Sequence, residues 1–187
     1  MPGRNLVDEE VSVPEAIARV LEEAGVDFIF GMPGGRTIPI YGALYDHREK
    51  VRCVLVREEG LAAVMAEAYG RLTGRPGVCM GQAAWMLTNS GMGLVEACLS
   101  GTPVVVLSDM SDRPPFSQHV PYQTGAGDYG TWDARDTIAG YTKQTFVARE
   151  PVAAVQVTQL AIKHALCGQP RPVAVLYHTA ALEGRVG

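Results

Sequence analysis

The chain has no cluster of lysine and arginine. Its 16 basic side chains are outnumbered by 20 acidic ones, for a net charge of −4. That balance excludes the electrostatic footprint of a nucleic-acid binder. No apolar run approaches the roughly 18 residues of a membrane-spanning helix, and the opening stretch MPGRNLVDEE holds no apolar signal core. Cysteine is scarce. Cys53, Cys79, Cys98 and Cys167 form no CxxC pair, and three of them sit in apolar contexts. Buried free thiols and a cytoplasmic location are therefore expected, not a disulfide or zinc framework. There is also no internal repeat, no nucleophilic triad and no metal-ligand spacing.

What is present is a core and a rhythm. Hydrophobic residues make up 47% of 187 positions, enough for one domain over 1–187 and too few for two. Ser12-Val13-Pro14-Glu15 reads as a capping box, and Ala16, Ile17, Val20, Leu21 and Ala24 continue at helical spacing up to Gly25. DFIF (27–30), VRCVLV (51–56), GVCM (77–80), PVVVLS (103–108), YTKQTFV (141–147) and PVAVLY (172–177) read as strands. Helices are expected between them, over 37–45, 58–72, 89–99 and from Pro151 towards Gly168. The pattern predicts an α/β fold: a doubly wound, mainly parallel six-stranded sheet with helices on both faces. Ligands of such sheets bind at the carboxyl ends of the strands. The stretch 109–132, rich in Pro, Gly, Ser and Asp, breaks the rhythm and reads as a functional loop.

Two adjacent carboxylates, Glu58 and Glu59, stand where VRCVLV, read as a buried strand, meets a helix. Positions 58, 61, 62, 65 and 69 share a helical face, so Glu58 heads an otherwise apolar stripe of Leu, Ala, Met and Tyr. Glu59 falls with Ala63, Ala66 and Gly70, a face of small residues, while Glu67 and Arg71 read as an ordinary i, i+4 pair. Two readings of Glu58 stay open on spacing alone. Acidic residues are favoured in first turns by the helix dipole, and a carboxyl in a half-apolar setting also suits proton transfer.

The stretches GVDFIFGMPGGRTIPIYGALYD, VREEGLAAVMAEAYGRLTGRPGVC and LTNSGMGLVEACLSGTPVVVLSD, followed by YTKQTFV and GQPRPVAVLY, occur in an order that resembles the N-terminal pyrimidine-binding (Pyr) domain of thiamine diphosphate enzymes. The likeness is nearest to acetolactate synthase and 2-oxo-acid decarboxylases. The family's strand-to-helix junction commonly reads His-Glu-Gln-Gly, and here it reads Arg57-Glu58-Glu59-Gly60. The resemblance puts the family's catalytic glutamate on Glu58. There it would hydrogen-bond the aminopyrimidine and promote the imino form that takes the proton from carbon 2 of the thiazolium. It also implies cofactor contacts at Pro33, Gly34, Gly35, Gln82 and Asn89, with Gln82 on the substrate side.

Departures from the family pattern accompany these matches. Arg57 replaces the usual histidine. Gln82-Ala83-Ala84-Trp85-Met86-Leu87-Thr88-Asn89 stands where relatives often have a Thr-Ser-Gly-Pro-Gly-Ala-Thr-Asn loop. Trp85 either walls the site or packs, with packing favoured. The 187 residues contain no Gly-Asp-Gly, the family's diphosphate and Mg²⁺ motif. The resemblance therefore implies a Pyr subunit of a two-chain enzyme, with thiamine diphosphate and Mg²⁺ held by a separate PP-domain subunit. Pairing of Pyr subunits and a small 2-oxo acid or related acyl donor follow from the same likeness. A truncated gene product, or a Pyr-like binding or regulatory module that has lost its activity, is the alternative. In the irregular stretch, His119 is either a substrate-side acid or base or an exposed loop histidine, and Tyr122 and Gln123 are weaker candidates.

Overall fold

The computed structural model describes residues 8–110, 125, 127 and 132–187. Helix α1 (Val13–Glu23) starts where expected, because the Ser12 hydroxyl accepts the Glu15 N–H at 3.3 Å. The six strands read from the sequence all form. They are β2 (Phe28–Gly31), β3 (Arg52–Leu55), β4 (Gly77–Gly81), β5 (Val104–Asp109), β6 (Gln144–Ala148) and β7 (Val173–Tyr177). They make one parallel sheet in the order β3-β2-β4-β5-β7-β6. A two-stranded antiparallel ribbon of β1 (Val11–Ser12) and β8 (Arg185–Val186), not anticipated from the sequence, ties the two ends of the domain together.

Side chains alternate across the sheet and divide the core in two. Ile29, Met80, Val105, Leu107, Val173 and Val175 face one cluster, with α1, α2 (Ile38–Asp46) and α7 (Pro151–Leu166). Phe30, Cys79, Val104, Val106 and Leu176 face the other, with α3 (Glu59–Thr73), α4 (Ala83–Asn89), α5 (Gly91–Ser100) and α6 (Ala134–Ala139). The fold is thus doubly wound, with helices on both faces. The central strand β5 is buried along its whole length, as VVVL on both faces of a parallel sheet requires.

Three expectations need correction. Strand β3 is not buried: it is an edge strand, and Arg52, Cys53 and Leu55 are exposed. Its apolar letters misled because only one neighbour pairs with it; Arg52 shields the inner side by lying 4.3 Å over the Phe28 ring. All four cysteines are free, but only Cys79 is buried; Cys53 and Cys167 are exposed and Cys98 is partly so. The stretch after β4 is not a loop. Without Gly-Pro-Gly, the residues Ala-Ala-Trp-Met-Leu are good helix formers and build α4, which meets α5 at Ser90.

Chain order sets where a ligand can sit. From β2 the chain passes to β3 on one side, then returns to β4 on the other. Loops leaving β2 and β4 therefore diverge and open a crevice between them at the carboxyl ends. No helix among the described residues is long and apolar enough to cross a membrane.

Candidate active site

The crevice between β2 and β4 is built by glycines on one side and Gln82 on the other. After β2, Met32 and the exposed Pro33 lead to Gly34 and a single 3₁₀ turn, Gly35–Thr37. Gly35 has φ +55, a conformation that side chains rarely adopt. A Cβ at Gly34 would come within 2.7 Å of Gln82 Oε1, and one at Gly35 within 2.8 Å of Gln82 Cγ. The turn is tight, and Gln82 is what these glycines approach. The Tyr41 hydroxyl donates to Met80 O at 2.7 Å, holding α2 against the end of β4.

The two carboxylates at the head of α3 are placed very differently. Glu58 is the N-cap. Its side chain is exposed and turned back on its own helix, accepting the N–H of Gly60 at 3.0 Å and of Leu61 at 2.7 Å. Glu59, in the first turn, is 5% exposed. Its Cγ lies 3.4 Å from where a Cβ on Gly81 would stand, so it sits against the end of β4. Asn89 Nδ2 donates to Glu59 Oε2 at 3.4 Å, and no hydrogen bond to Oε1 is present among the described residues.

This reverses the expected burial of α3. The stripe headed by Glu58 is half open, with Leu61 42% exposed and Met65 and Tyr69 only partly covered. The small-residue face is the one that packs: Ala63 and Ala66 are fully buried. Gly93 of α5 comes so near that a Cβ there would lie 2.6 Å from the Ala63 backbone. Small side chains allow that approach, and the carboxylate heading their face is buried with them. Helix periodicity already held this signal.

Glu67, on the same face, is also buried at 6% exposure, but three donors, one of them a guanidinium, converge on its Oε1. Arg71 Nε donates to it at 2.7 Å, Thr102 Oγ1 at 3.2 Å and Ser100 Oγ at 3.3 Å. It is more than the surface ion pair read from its spacing. Trp85, expected to pack, is 50% exposed on α4. His119, Tyr122 and Gln123, with most of the irregular stretch, lie outside the described residues.

A further group had no signal in the sequence. Asp109, at the end of β5, is fully buried; its Oδ2 accepts the Arg36 N–H at 3.2 Å and its Oδ1 the Ala83 N–H at 3.0 Å. The structure therefore brings together Gly34, Gly35, Gln82 and Asp109 on one side and Glu59 with Asn89 on the other. Gly81, preceding Gln82, joins the two. Glu58 stays outside this group. Among the described residues no set of His, Cys, Asp and Glu is arranged to hold a metal.

The chain is 34% identical over 178 residues to the acetolactate synthase large subunit of Corynebacterium glutamicum, covering 92% of this chain and 26% of that protein. It is 34% identical over 177 residues to the acetolactate synthase of Mycobacterium bovis, covering 95% and 27% respectively. A probable acetolactate synthase large subunit of Methanocaldococcus jannaschii shares 32% over 160 residues, 85% of this chain and 25% of its own length. The chain thus spans about a quarter of the length of these relatives. Residues 11–128 match the model of the thiamine pyrophosphate enzyme N-terminal TPP binding domain, and the chain belongs to that family.

Proposed function

We propose that this chain is the Pyr component of a thiamine diphosphate-dependent enzyme of acetolactate synthase type, with Glu59 as the carboxylate that handles the aminopyrimidine proton. The observation that carries the assignment is a carboxylate 5% exposed at the carboxyl end of the sheet, with one long hydrogen bond and no partner on Oε1 among the described residues. A buried carboxylate with so few partners fits a ring nitrogen with which it can share a proton. Glu58 fits poorly, because its two oxygens already serve Gly60 and Leu61. Sliding the His-Glu-Gln-Gly junction by one residue sets the family's glutamate on Glu59. The string itself favoured Glu58 by matching Gly60 as well.

Thiamine diphosphate, once bound, supplies the nucleophilic carbon that attacks the carbonyl of a 2-oxo acid. The chain's own residues would bind and orient. Gly34 and Gly35 let the backbone approach the ring, Asn89 holds Glu59, and Gln82 faces the substrate across the crevice. Decarboxylation and carbon–carbon bond formation or cleavage share these requirements.

The diphosphate and Mg²⁺ are assigned to a PP domain outside these 187 residues, proposed to lie on a separate subunit. A second Pyr copy is assigned to the outer face of α3 and α5. Met92 is 72% exposed there, Val95 45% and Leu99 79%, around a groove of about 600 Å³ lined by Val64, Glu67 and Glu96 among others. So much exposed apolar surface on neighbouring helices supports association. The assembly proposed is a heterotetramer with two copies of each subunit.

Co-expression with a PP-domain chain, followed by mass measurement and calorimetry, tests the reading. The pair should bind thiamine diphosphate tightly and only with Mg²⁺, and this chain alone should bind it weakly. Tight Mg²⁺-dependent binding by this chain alone would refute the divided site. The alternative, a Pyr-like module without chemistry, draws on α4 replacing the usual Gly-Pro-Gly loop. A reconstituted pair that binds cofactor and turns over no 2-oxo acid would favour it.

A further inference from the structure

We propose that Asp109 is a positioning residue: a buried latch that fixes Gln82 against the glycine turn by holding the loops after β2 and β4 to the end of β5. Its two described bonds go to backbone donors with no partner inside their own helical segments. Arg36 lies in the Gly35–Thr37 turn, and Ala83 is the first residue of α4. First-turn N–H groups need an outside acceptor. One carboxylate accepts from two helical starts at once.

The latch acts at strained positions. Ala83 has φ 25, the sole positive value outside glycine among the described residues, and Gly35 has φ +55. Such backbone persists only when its surroundings hold it. Here the Asp109 oxygens bond Ala83 directly and Arg36, next to Gly35. Between the two anchors lies Gln82, the residue preceding Ala83. A Cβ on Gly35 would meet Gln82 Cγ at 2.8 Å and Asp109 Oδ2 at 3.0 Å, so turn, glutamine and aspartate form one packed unit. The strand's end thereby sets the place of a side chain that belongs to another strand's loop. Gln82's substrate-side role rests on the function proposed above. The latch does not, so the two can fail separately.

Residue-resolved amide hydrogen exchange and NMR on the isotope-labelled chain test the latch without cofactor or partner. In the wild type, Arg36 and Ala83 should exchange about tenfold or more slowly than Val152. Val152 is the reference because it lies in the first turn of α7, whose cap Glu150 makes no side-chain bond. Exchange at the Val152 rate would overturn the proposal, and this outcome needs no variant to fold. In Asp109→Ala both amides should become fast while the centre of β7 stays protected. In Asp109→Asn, which keeps one acceptor oxygen, one of the two should become fast. Positioning is read separately. Nuclear Overhauser contacts from the Gln82 side-chain amide to Gly34 and Gly35 should be present in the wild type and in Glu67→Gln, and lost in Asp109→Ala. If they persist in Asp109→Ala, Asp109 is structural only and the positioning role is refuted.

Discussion

Glu59 and Glu67 are both buried carboxylates on the same face of α3, about two turns apart, and they differ in how many donors meet them. Glu67 is met by Arg71, Ser100 and Thr102. Among the described residues Glu59 has one long bond, from Asn89. Burial alone therefore does not mark function. A buried carboxylate that fixes structure gathers donors and a counter-charge, because an unpaired buried charge costs stability. One that must exchange a proton with a ligand keeps few partners of its own. Location repeats the contrast. Glu59 heads the helix at the carboxyl end of the sheet, and Glu67 lies back towards the α3–α5 seam.

The same substitution at both positions separates the two states most strongly. In the assembled enzyme, Glu59→Gln should lower turnover by about 10²–10⁴-fold, the usual contribution of a general acid–base group. Its melting temperature should stay near that of wild type, since little bonding is lost. Steady-state kinetics with a melting curve on the same sample checks both halves. Glu67→Gln should do the reverse. The amide can keep an oxygen where the three donors meet but loses the charge that faces Arg71, at a cost of about 1–2 kcal/mol. That equals several degrees of melting temperature at roughly 2–4 °C per kcal/mol, with turnover per folded molecule unchanged.

Glu58 sharpens the comparison as the neighbour with a local duty. Glu58→Ala removes the cap on α3 and should cost about 1 kcal/mol by urea denaturation, while turnover stays within a few-fold of wild type. The smallest effect belongs to a surface carboxylate. Glu22 is held below its ordinary value of 4.5 chiefly by its hydrogen bond from Lys50, then by that with His47. A depressed carboxyl contributes stability above its unfolded value and loses it as pH falls through the folded one. Between neutral pH and the acid side of 4.5, the wild type should lose up to about 1 kcal/mol that Glu22→Gln does not, as read by urea midpoints against pH.

The sheet was legible because its signals are local. Runs such as Val104–Leu107 are apolar on both faces and bounded by turn residues, and the helices between them carry caps such as Ser12 with Glu15. Edge position is not local, so β3 was misjudged from letters that suit either an edge or a centre. The glycine turn and Gln82 lie in loops that leave neighbouring strands, β2 and β4, which is why they meet. The burial of Glu59 is visible in the periodicity of Ala63, Ala66 and Gly70, the small-residue face that it heads. Asp109 carried no signal at all. Its partners come from 73 and 26 residues away, and only the strand order β2-β4-β5 brings them together.

The central claim is that Glu59, not Glu58, handles the cofactor's proton. Hydrogen–deuterium exchange at carbon 2 of thiamine diphosphate, measured in the assembled enzyme, reads that step without knowledge of the substrate. Glu59→Gln should slow the exchange by about 10²–10⁴-fold, and Glu58→Gln should leave it near the wild-type rate. Fast exchange in Glu59→Gln together with slow exchange in Glu58→Gln would contradict the assignment and return the role to the capping residue.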